Sequence, residues 1–284
     1  MDTKEWVVGV NTAMFDGVDT ETAFQTIQQA GFRYVELAYN EGYIGNISPE
    51  LFSQSHAEDI KRLLNQYGLK TAALGCTMNL ATPDTVEQLR MRVRFAHAIG
   101  ATAMNICTGR KEHYNVIVDN LRAVAPYAAE HNCVICIENG GDPNFDAFAV
   151  AEEGFAMLQD IGHDAVAFNI DAGNMVSLRP DEDAIAQAFE MLPAMRHLHI
   201  KDIEIKDGEF YFCAIGDGCL NYGSLLEQLA LRQIPCSLEI PLRMHRQQNT
   251  YPLRGEMPID PSISLEVLIR SRLAIEKLLG HSLY

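Results

Sequence analysis

The segments Val166-Ala167-Phe168-Asn169-Ile170 and Met195-Arg196-His197-Leu198-His199-Ile200 flank a helical pattern over Asp181–Leu192. Both flanking segments are short and mainly apolar, which is typical of strands buried in a sheet. The segment between them has the length and the spacing of apolar residues of a helix. A strand, a helix and a second strand in this order predict one unit of a parallel sheet.

The same alternation continues in both directions along the chain. Six further strands are predicted at Trp6–Val10, Tyr34–Leu37, Thr71–Leu74, Ala103–Ile106, Val134–Ile137 and Cys236–Ile240. Seven further helices are predicted at Thr20–Ala30, Pro49–Gln66, Pro83–Ile99, Tyr114–Glu130, Phe145–Ile161, Tyr222–Leu231 and Ile263–Leu279. Eight units favour closure into a barrel, because an open doubly wound sheet usually carries a glycine-rich nucleotide loop that this chain lacks. We therefore predict an α/β fold in which residues 1–284 form a single (β/α)8 TIM barrel domain.

The 284-residue chain is acidic, with a formal net charge of −16. This charge disfavours a nucleic-acid partner, because proteins that bind phosphate backbones need a basic face. The first residues lack the apolar core of a signal peptide, and no apolar run approaches the roughly 18 residues of a membrane span. Seven cysteines without a dense framework are typical of reduced thiols. We expect a cytoplasmic protein with no nucleic-acid or membrane partner.

Four consecutive predicted strands end in residues that commonly bind metals. These residues are Glu138, Asp171, His199 and Glu239. Because the C-terminal ends of barrel strands converge on one site and adjacent strands lie about 4.8 Å apart, the four side chains could surround one cation. Three carboxylates and one imidazole suit Mn²⁺, Mg²⁺, Co²⁺ or Zn²⁺. The alternative for each acidic residue is contact with solvent at the rim or pairing with a nearby lysine or arginine. His197 shares a face with His199 and is predicted to be a hydrogen-bonded interior histidine.

Other polar residues at or beyond strand ends are candidates for substrate binding. They are Glu36, Arg110, Lys201 and Arg243. The segment Arg243–Arg246 could hold a phosphate or carboxylate group, since arginine matches those anions, or it could be a solvated basic turn. The long connections Asp202–Leu220 and Pro241–Ser262 are candidates for covering a substrate, because such loops lie at the catalytic mouth of a barrel.

Several motifs resemble those of the xylose-isomerase-like barrel superfamily, which includes sugar isomerases and epimerases, inosose dehydratases and endonuclease IV. They are Ile137-Glu138-Asn139, Ile170-Asp171-Ala172-Gly173-Asn174, His197-Leu198-His199-Ile200-Lys201-Asp202 and Leu238-Glu239-Ile240. The resemblance implies that Glu138, Asp171, His199 and Glu239 bind one divalent ion, with Mn²⁺ as our first choice. It implies further that the two glutamates move protons on opposite faces of the substrate. It also suggests a homodimer.

One position departs from the pattern of the related ketose 3-epimerases. Those enzymes often have a substrate-contacting histidine three residues after the metal-binding aspartate, and Asn174 stands there in this chain. We therefore include Asn174 among the substrate-binding candidates and do not transfer the substrate of those enzymes.

The ligand set predicts a metal-dependent isomerase or epimerase of a sugar, sugar phosphate or sugar acid. The reaction would pass through an enediolate, with Glu138 and Glu239 as the acid–base pair. An inosose-type dehydratase on the same site is the alternative. Two other hypotheses have less support: an abasic-site endonuclease, which would need additional histidine ligands for a three-metal cluster, and a barrel that binds ligands without catalysis.

Overall fold

A computed structural model describes residues 5–43, 45 and 47–284. The strands in chain order are β1 (Val8–Asn11), β2 (Tyr34–Ala38), β3 (Lys70–Gly75), β4 (Ala103–Cys107), β5 (Val134–Glu138), β6 (Val166–Asp171), β7 (Met195–Ile200), β8 (Asp202–Lys206), β9 (Glu209–Cys213), β10 (Cys236–Leu238), β11 (Met244–Arg246) and β12 (Pro252–Arg254). Strands β1 to β7 and β10 are parallel and close into an eight-stranded barrel, in which β10 lies between β7 and β1. The predicted (β/α)8 barrel is therefore confirmed.

Helices connect the barrel strands. They are α1 (Thr20–Gln29), α2 (Gln54–Gln66), α3 (Thr85–Ile99), α4 (Tyr114–Glu130), α5 (Ala151–Ile161), α6 (Ala172–Leu178), α7 (Ala184–Met191), α8 (Gly223–Arg232) and α9 (Pro261–Leu279). Short 3-10 helices lie at Thr12–Phe15, Pro49–Phe52, Lys111–His113 and Leu192–Ala194. One continuous apolar core joins the strands to these helices. Within the described part of the chain, no helix combines the length and the apolar character that a membrane span needs.

The helices predicted from Pro49 and from Phe145 differ most from their predicted first residues. The helix predicted from Pro49 is interrupted at Ser53, which is extended and accepts a hydrogen bond from the backbone N–H of His56. The helix predicted from Phe145 begins only at Ala151. The reason is that the preceding backbone pairs within its own loop and with the loop after β4: the N–H of Gly140 donates to the Phe148 carbonyl, and the N–H of Ala147 donates to the Gly109 carbonyl.

The two long connections contain strands that were not predicted from the sequence. Strands β8 and β9 form an antiparallel hairpin after β7, and β11 and β12 form a second one after β10. Pairing of β11 with β9 joins the hairpins into one four-stranded sheet. Phe212 of β9 and Met244 and Arg246 of β11 face the cavity at the barrel mouth. The connections predicted to cover the mouth therefore reach it as a sheet.

Candidate active site

The ends of four adjacent barrel strands place four ligand-type side chains together. Glu138 and Asp171 are the last residues of β5 and β6, His199 lies near the end of β7, and Glu239 directly follows β10. The strand register aligns Asp171 with His199. One ligand atom from each of the four residues lies within 4.8 Å of all the others, and all four residues are buried. The structure thus brings together the four residues that we predict as metal ligands.

The imidazole of His199 is held from both sides by carboxylates. Its Nδ1 lies 3.3 Å from an oxygen of Glu138 and 3.4 Å from an oxygen of Glu239. Its Nε2 lies 3.0 Å from Oε1 of Glu36, which also accepts a hydrogen bond from Asn105. Nδ1 is therefore the ring nitrogen that faces the four-residue cluster, and Nε2 faces the barrel interior.

The ammonium group of Lys201 contacts this cluster. Its Nζ lies 2.6 Å from Oδ2 of Asp171 and 2.7 Å from Oε2 of Glu239, and it donates a hydrogen bond to Oδ1 of Asn174. Burial alone would lower the pKa of Lys201, but the carboxylates of Asp171 and Glu239 raise it. Lys201 is therefore charged and neutralises part of the negative charge of the cluster.

The carboxylates differ in how well their charge is stabilised. Burial raises the pKa of Glu138 and of Asp171, and the nearby Glu239 carboxylate adds to both shifts. Burial also acts to raise the pKa of Glu239, but Lys201 and His199 more than offset it and the pKa is lowered. Burial disfavours the charged form of His199, yet the carboxylates of Glu239, Glu36 and Glu138 raise its pKa well above the usual value. Additional positive charge would stabilise the ionised form of this cluster.

These observations fit a divalent cation. The donor set is three carboxylates and one imidazole with Nδ1 facing them, which is a common combination for hard and intermediate divalent metals. Two positive charges would balance the two carboxylate charges that Lys201 leaves uncompensated. Among the described residues, Glu36, His197 and His199 form a second close group beneath the first. His197 contacts Asn169, Asn105 and Ser237 there, as expected for an interior histidine.

Three asparagine side chains hold the cluster in place. The Asn139 amide accepts from the N–H of Asp171 and donates to the carbonyl of the same residue, so it ties the ends of β5 and β6 together. Asn169 and Asn174 each donate a hydrogen bond to the carboxylate of Glu138. Neither role was predicted from the sequence: Asn139 appears there only within the motif Ile137-Glu138-Asn139, and Asn169 has no assigned role. Alternation along β6 puts Asn169 on the same side as Asp171, which is the signal that could have identified it.

A cavity of about 310 Å³ opens above the cluster at the C-terminal end of the barrel. Glu138 and Glu239 line it, together with Lys201 and Asn174, whereas Asp171 and His199 do not. Its other walls come mainly from the loops after β1 and β2 and from the four-stranded sheet. They include Phe15, Val18, Leu37, Tyr39, Tyr43, Phe212, Met244 and Arg246. The two glutamates are therefore the members of the four-residue cluster that a ligand in this cavity would meet.

The remaining substrate-binding candidates have different surroundings. Glu36 is buried below His199 and does not line the cavity. Arg110 is half exposed, lies beside Glu112 and Asn144, and is not brought into the cavity. Arg243 does not line the cavity: it pairs with Asp16 of the cavity wall and donates to the carbonyl groups of Gly255 and Glu256. Arg246, which follows on the same strand, enters the cavity.

The fold and the site define a class: (β/α)8 barrels with a candidate divalent-metal centre at the C-terminal ends of their strands. The chain belongs to the xylose isomerase-like TIM barrel family, whose sequence model matches residues 24–254. Comparison with curated protein sequences finds no match.

Solved structures share the fold along nearly the whole chain. D-psicose 3-epimerase from Clostridium cellulolyticum H10 is 16% identical, with a TM-score of 0.69 over 96% of this chain and 97% of that one. The probable 3-DHS dehydratase from Bacillus anthracis is 14% identical, with a TM-score of 0.69 over 97% and 99%. A xylose isomerase-like TIM barrel protein from Mycobacterium smegmatis, solved in complex with magnesium, is 17% identical, with a TM-score of 0.68 over 96% of both chains. Proteins with this fold thus include an epimerase and a dehydratase.

Proposed function

We propose that this protein is a divalent-metal-dependent isomerase or epimerase that acts on a sugar, a sugar phosphate or a sugar acid. The observation that carries the proposal is the convergence of Glu138, Asp171, His199 and Glu239, of which only the two glutamates line the cavity. Acid–base catalysis needs two groups that reach the substrate. Residues that only bind the metal do not need to contact the substrate. The similarity in fold to an epimerase supports this reading.

The four clustered residues would hold one divalent ion, with Mn²⁺ as our first choice and Mg²⁺, Co²⁺ or Zn²⁺ as alternatives. When bound, such an ion polarises a substrate carbonyl and stabilises the negative charge of an enediolate. Asp171 and His199 would serve only as ligands. Lys201 lines the cavity, but its three N–H groups contact Asp171, Glu239 and Asn174, so its proposed role is to hold the two carboxylates in place.

The proton transfers are assigned to Glu138 and Glu239. One carboxylate would remove the proton from the carbon next to the substrate carbonyl, and the other would return a proton. Return to the opposite face of the same carbon gives epimerisation, and return to the neighbouring carbon gives isomerisation. Asn169 and Asn174 orient the Glu138 carboxylate, while Lys201 orients that of Glu239. Each glutamate thus has a fixed position relative to a substrate in the cavity.

Dehydration is the second candidate. It begins with the same proton removal, but a hydroxyl group on the next carbon then leaves and needs a proton. The glutamate that removed the proton from the carbon can donate it to the leaving hydroxyl, so that water leaves; both glutamates line the cavity. The similarity in fold to a dehydratase supports this candidate.

We propose a small carbohydrate rather than a nucleic acid as the partner, because the cavity is small and the net charge is −16. A single domain over residues 1–284, a cytoplasmic location and a homodimer stay predictions. The abasic-site endonuclease and the barrel without catalytic activity are outcomes that the following experiment can favour.

The test is to incubate the Mn²⁺-loaded protein with ketoses, keto acids and inososes in D₂O and to follow each compound by NMR. We expect deuterium on the carbon next to the carbonyl, together with a new epimer or isomer. Loss of water would instead identify the dehydratase. Conversion without deuterium would contradict the enediolate step. Absence of any reaction with the metal fully bound would favour a binding barrel, and cleavage of abasic-site DNA would favour the endonuclease.

A further inference from the structure

Arg246 of β11 extends into the cavity beside the four-residue cluster. Its residue surface is only 5% exposed, and its guanidinium lies 5.4 Å from the ring centroid of Phe212. Nη2 donates a 2.6 Å hydrogen bond to Oδ1 of Asn174, and Nη1 donates to Oγ of Ser177. A side chain at Gly141 would overlap the guanidinium, so the glycine leaves the space that Arg246 fills. The arginine is therefore held in one position by packing and by two neutral hydrogen-bond acceptors.

Arg246 is unusual because its charge has no acidic partner. Three lysine and arginine residues of the described chain are buried: Arg92, Lys201 and Arg246. Arg92 pairs with Glu41, and Lys201 pairs with Asp171 and Glu239. No carboxylate of the described residues lies within 4.0 Å of the Arg246 guanidinium. Asp142, next to Gly141 in the chain, is buried and accepts a hydrogen bond from the hydroxyl of Tyr43. Because a buried charge without a partner is costly, this position calls for an anion from outside the chain.

The position of Arg246 relative to the glutamates indicates where this anion belongs. Asn174 bridges the two groups: its Oδ1 accepts from Arg246, and its Nδ2 donates to Oε1 of Glu138 at 2.8 Å. The guanidinium is thus separated from a proposed acid–base residue by a single side-chain amide. A small molecule that reaches Glu138 with its reacting carbon can also reach Arg246 with a group a few bonds away.

We propose that Arg246 binds a carboxylate group of the substrate, so that the substrate is a sugar acid or a related keto acid. This inference rests on the proposed function, since it places the reacting carbon at Glu138 and Glu239. Two of the five guanidinium N–H groups are used by Asn174 and Ser177, and the others can bind a monovalent carboxylate. A phosphate dianion would need a second cation, and Lys201 already pairs with Asp171 and Glu239. Phe212 packs against the guanidinium of Arg246, and its apolar ring has no hydrogen-bond donor to offer a phosphate.

The test compares matched ligands with the Mn²⁺-loaded protein. D-fructuronate, D-fructose and D-fructose 6-phosphate carry a carboxylate, a hydroxymethyl and a phosphate group at the same end of the chain. Further sets of three to six carbons have the same three variants. Calorimetry gives the affinities, and NMR in D₂O gives proton exchange. We expect the acid of at least one set to bind at least tenfold more tightly than its neutral counterpart and its phosphate.

Three variants connect this preference to the arginine. Arg246→Met, which keeps most of the side-chain volume, should remove the preference for the acid, and Arg246→Lys should retain part of it. Arg122→Gln is the control, because Arg122 is exposed on α4 and pairs with Asp119, and neither residue lines the cavity. It should keep the full preference. Circular dichroism and bound Mn²⁺ show whether each variant is folded and loaded.

The outcomes separate this inference from the proposed function. Four results would each overturn the role of Arg246. The first three are equal binding of acid and neutral sugar, tighter binding of the phosphate, and absence of binding by every acid. The fourth is an unchanged preference in folded Arg246→Met. Proton exchange in neutral sugars without a preference for acids would leave the proposed function standing. Preferential binding of acids through Arg246 without any reaction would leave the anion site standing and contradict the proposed function.

Discussion

Oε1 of Glu36 lies 3.0 Å from Nε2 of His199, in the interior of the barrel. This contact occupies the ring nitrogen that faces away from Glu138 and Glu239. A carboxylate at this position favours the tautomer with a proton on Nε2, so that Nδ1 keeps its lone pair for a metal ion. Burial would raise the pKa of Glu36, but His199 and His197 lower it to about 2, so this carboxylate is ionised. Glu36 is therefore a positioning residue for His199.

We expect Glu36→Gln to weaken the binding of Mn²⁺ roughly tenfold, because outer partners of ligating histidines typically contribute 10–100-fold to metal affinity. Calorimetric titration of the metal-free protein measures the change. Glu112→Gln is the control, since Glu112 is exposed and does not line the cavity. An unchanged affinity in the folded variant would mean that Glu36 does not orient the ligand.

The two histidines of β7 are predicted to differ in their effect on the metal. His199→Ala removes a proposed ligand, and we expect it to weaken Mn²⁺ binding by more than the roughly 10–100-fold that outer partners contribute. His197→Ala should remain within that range, because His197 contacts Asn169 and Ser237 instead of the four-residue cluster. The same titration compares the two variants. A larger loss for His197→Ala would transfer the ligand role to that residue.

Replacement of either glutamate that lines the cavity should stop proton transfer. We expect Glu138→Gln and Glu239→Gln each to lower the rate of deuterium exchange about 10²–10⁴-fold, the usual contribution of a general acid or base. Metal content, measured in parallel, separates loss of acid–base chemistry from loss of a ligand. Glu266→Gln, on the exposed face of α9, should exchange at the normal rate. Full activity of both cavity variants would remove them from the mechanism.

The segment that follows Glu138 has no space for a larger residue at Gly140. A Cβ atom there would overlap the carbonyl group of Phe145. Because backbone must move to relieve this overlap, we expect Gly140→Ala to lower the free energy of unfolding by about 1–3 kcal/mol. Urea denaturation measures the change. Gly223→Ala is the control, since the nearest atom to an added Cβ is 3.5 Å away. Equal stability of the two variants would show that the loop adapts without cost.

Local patterns in the sequence were sufficient for the barrel strands, because a buried strand keeps an apolar run and its neighbouring helix keeps a regular spacing of apolar residues. Helix α4 has the predicted bounds, and β7 does as well. The short strands β11 and β12 were missed, since three residues are too few to show a period. Their pairing with β9 and with each other is what makes them strands.

The sequence by itself determined which residue types end the last four barrel strands, and the parallel arrangement required those ends to meet. Only the tertiary structure decided how each charged side chain is used. Lys201 pairs with Asp171 and Glu239, and Arg243 pairs with Asp16. Arg246 enters the cavity, where no carboxylate of the described residues pairs with it. These differences depend on which residues, distant in the sequence, surround each charge. The energies of burial and of ion pairing are set by those neighbours, so the local sequence pattern does not predict them.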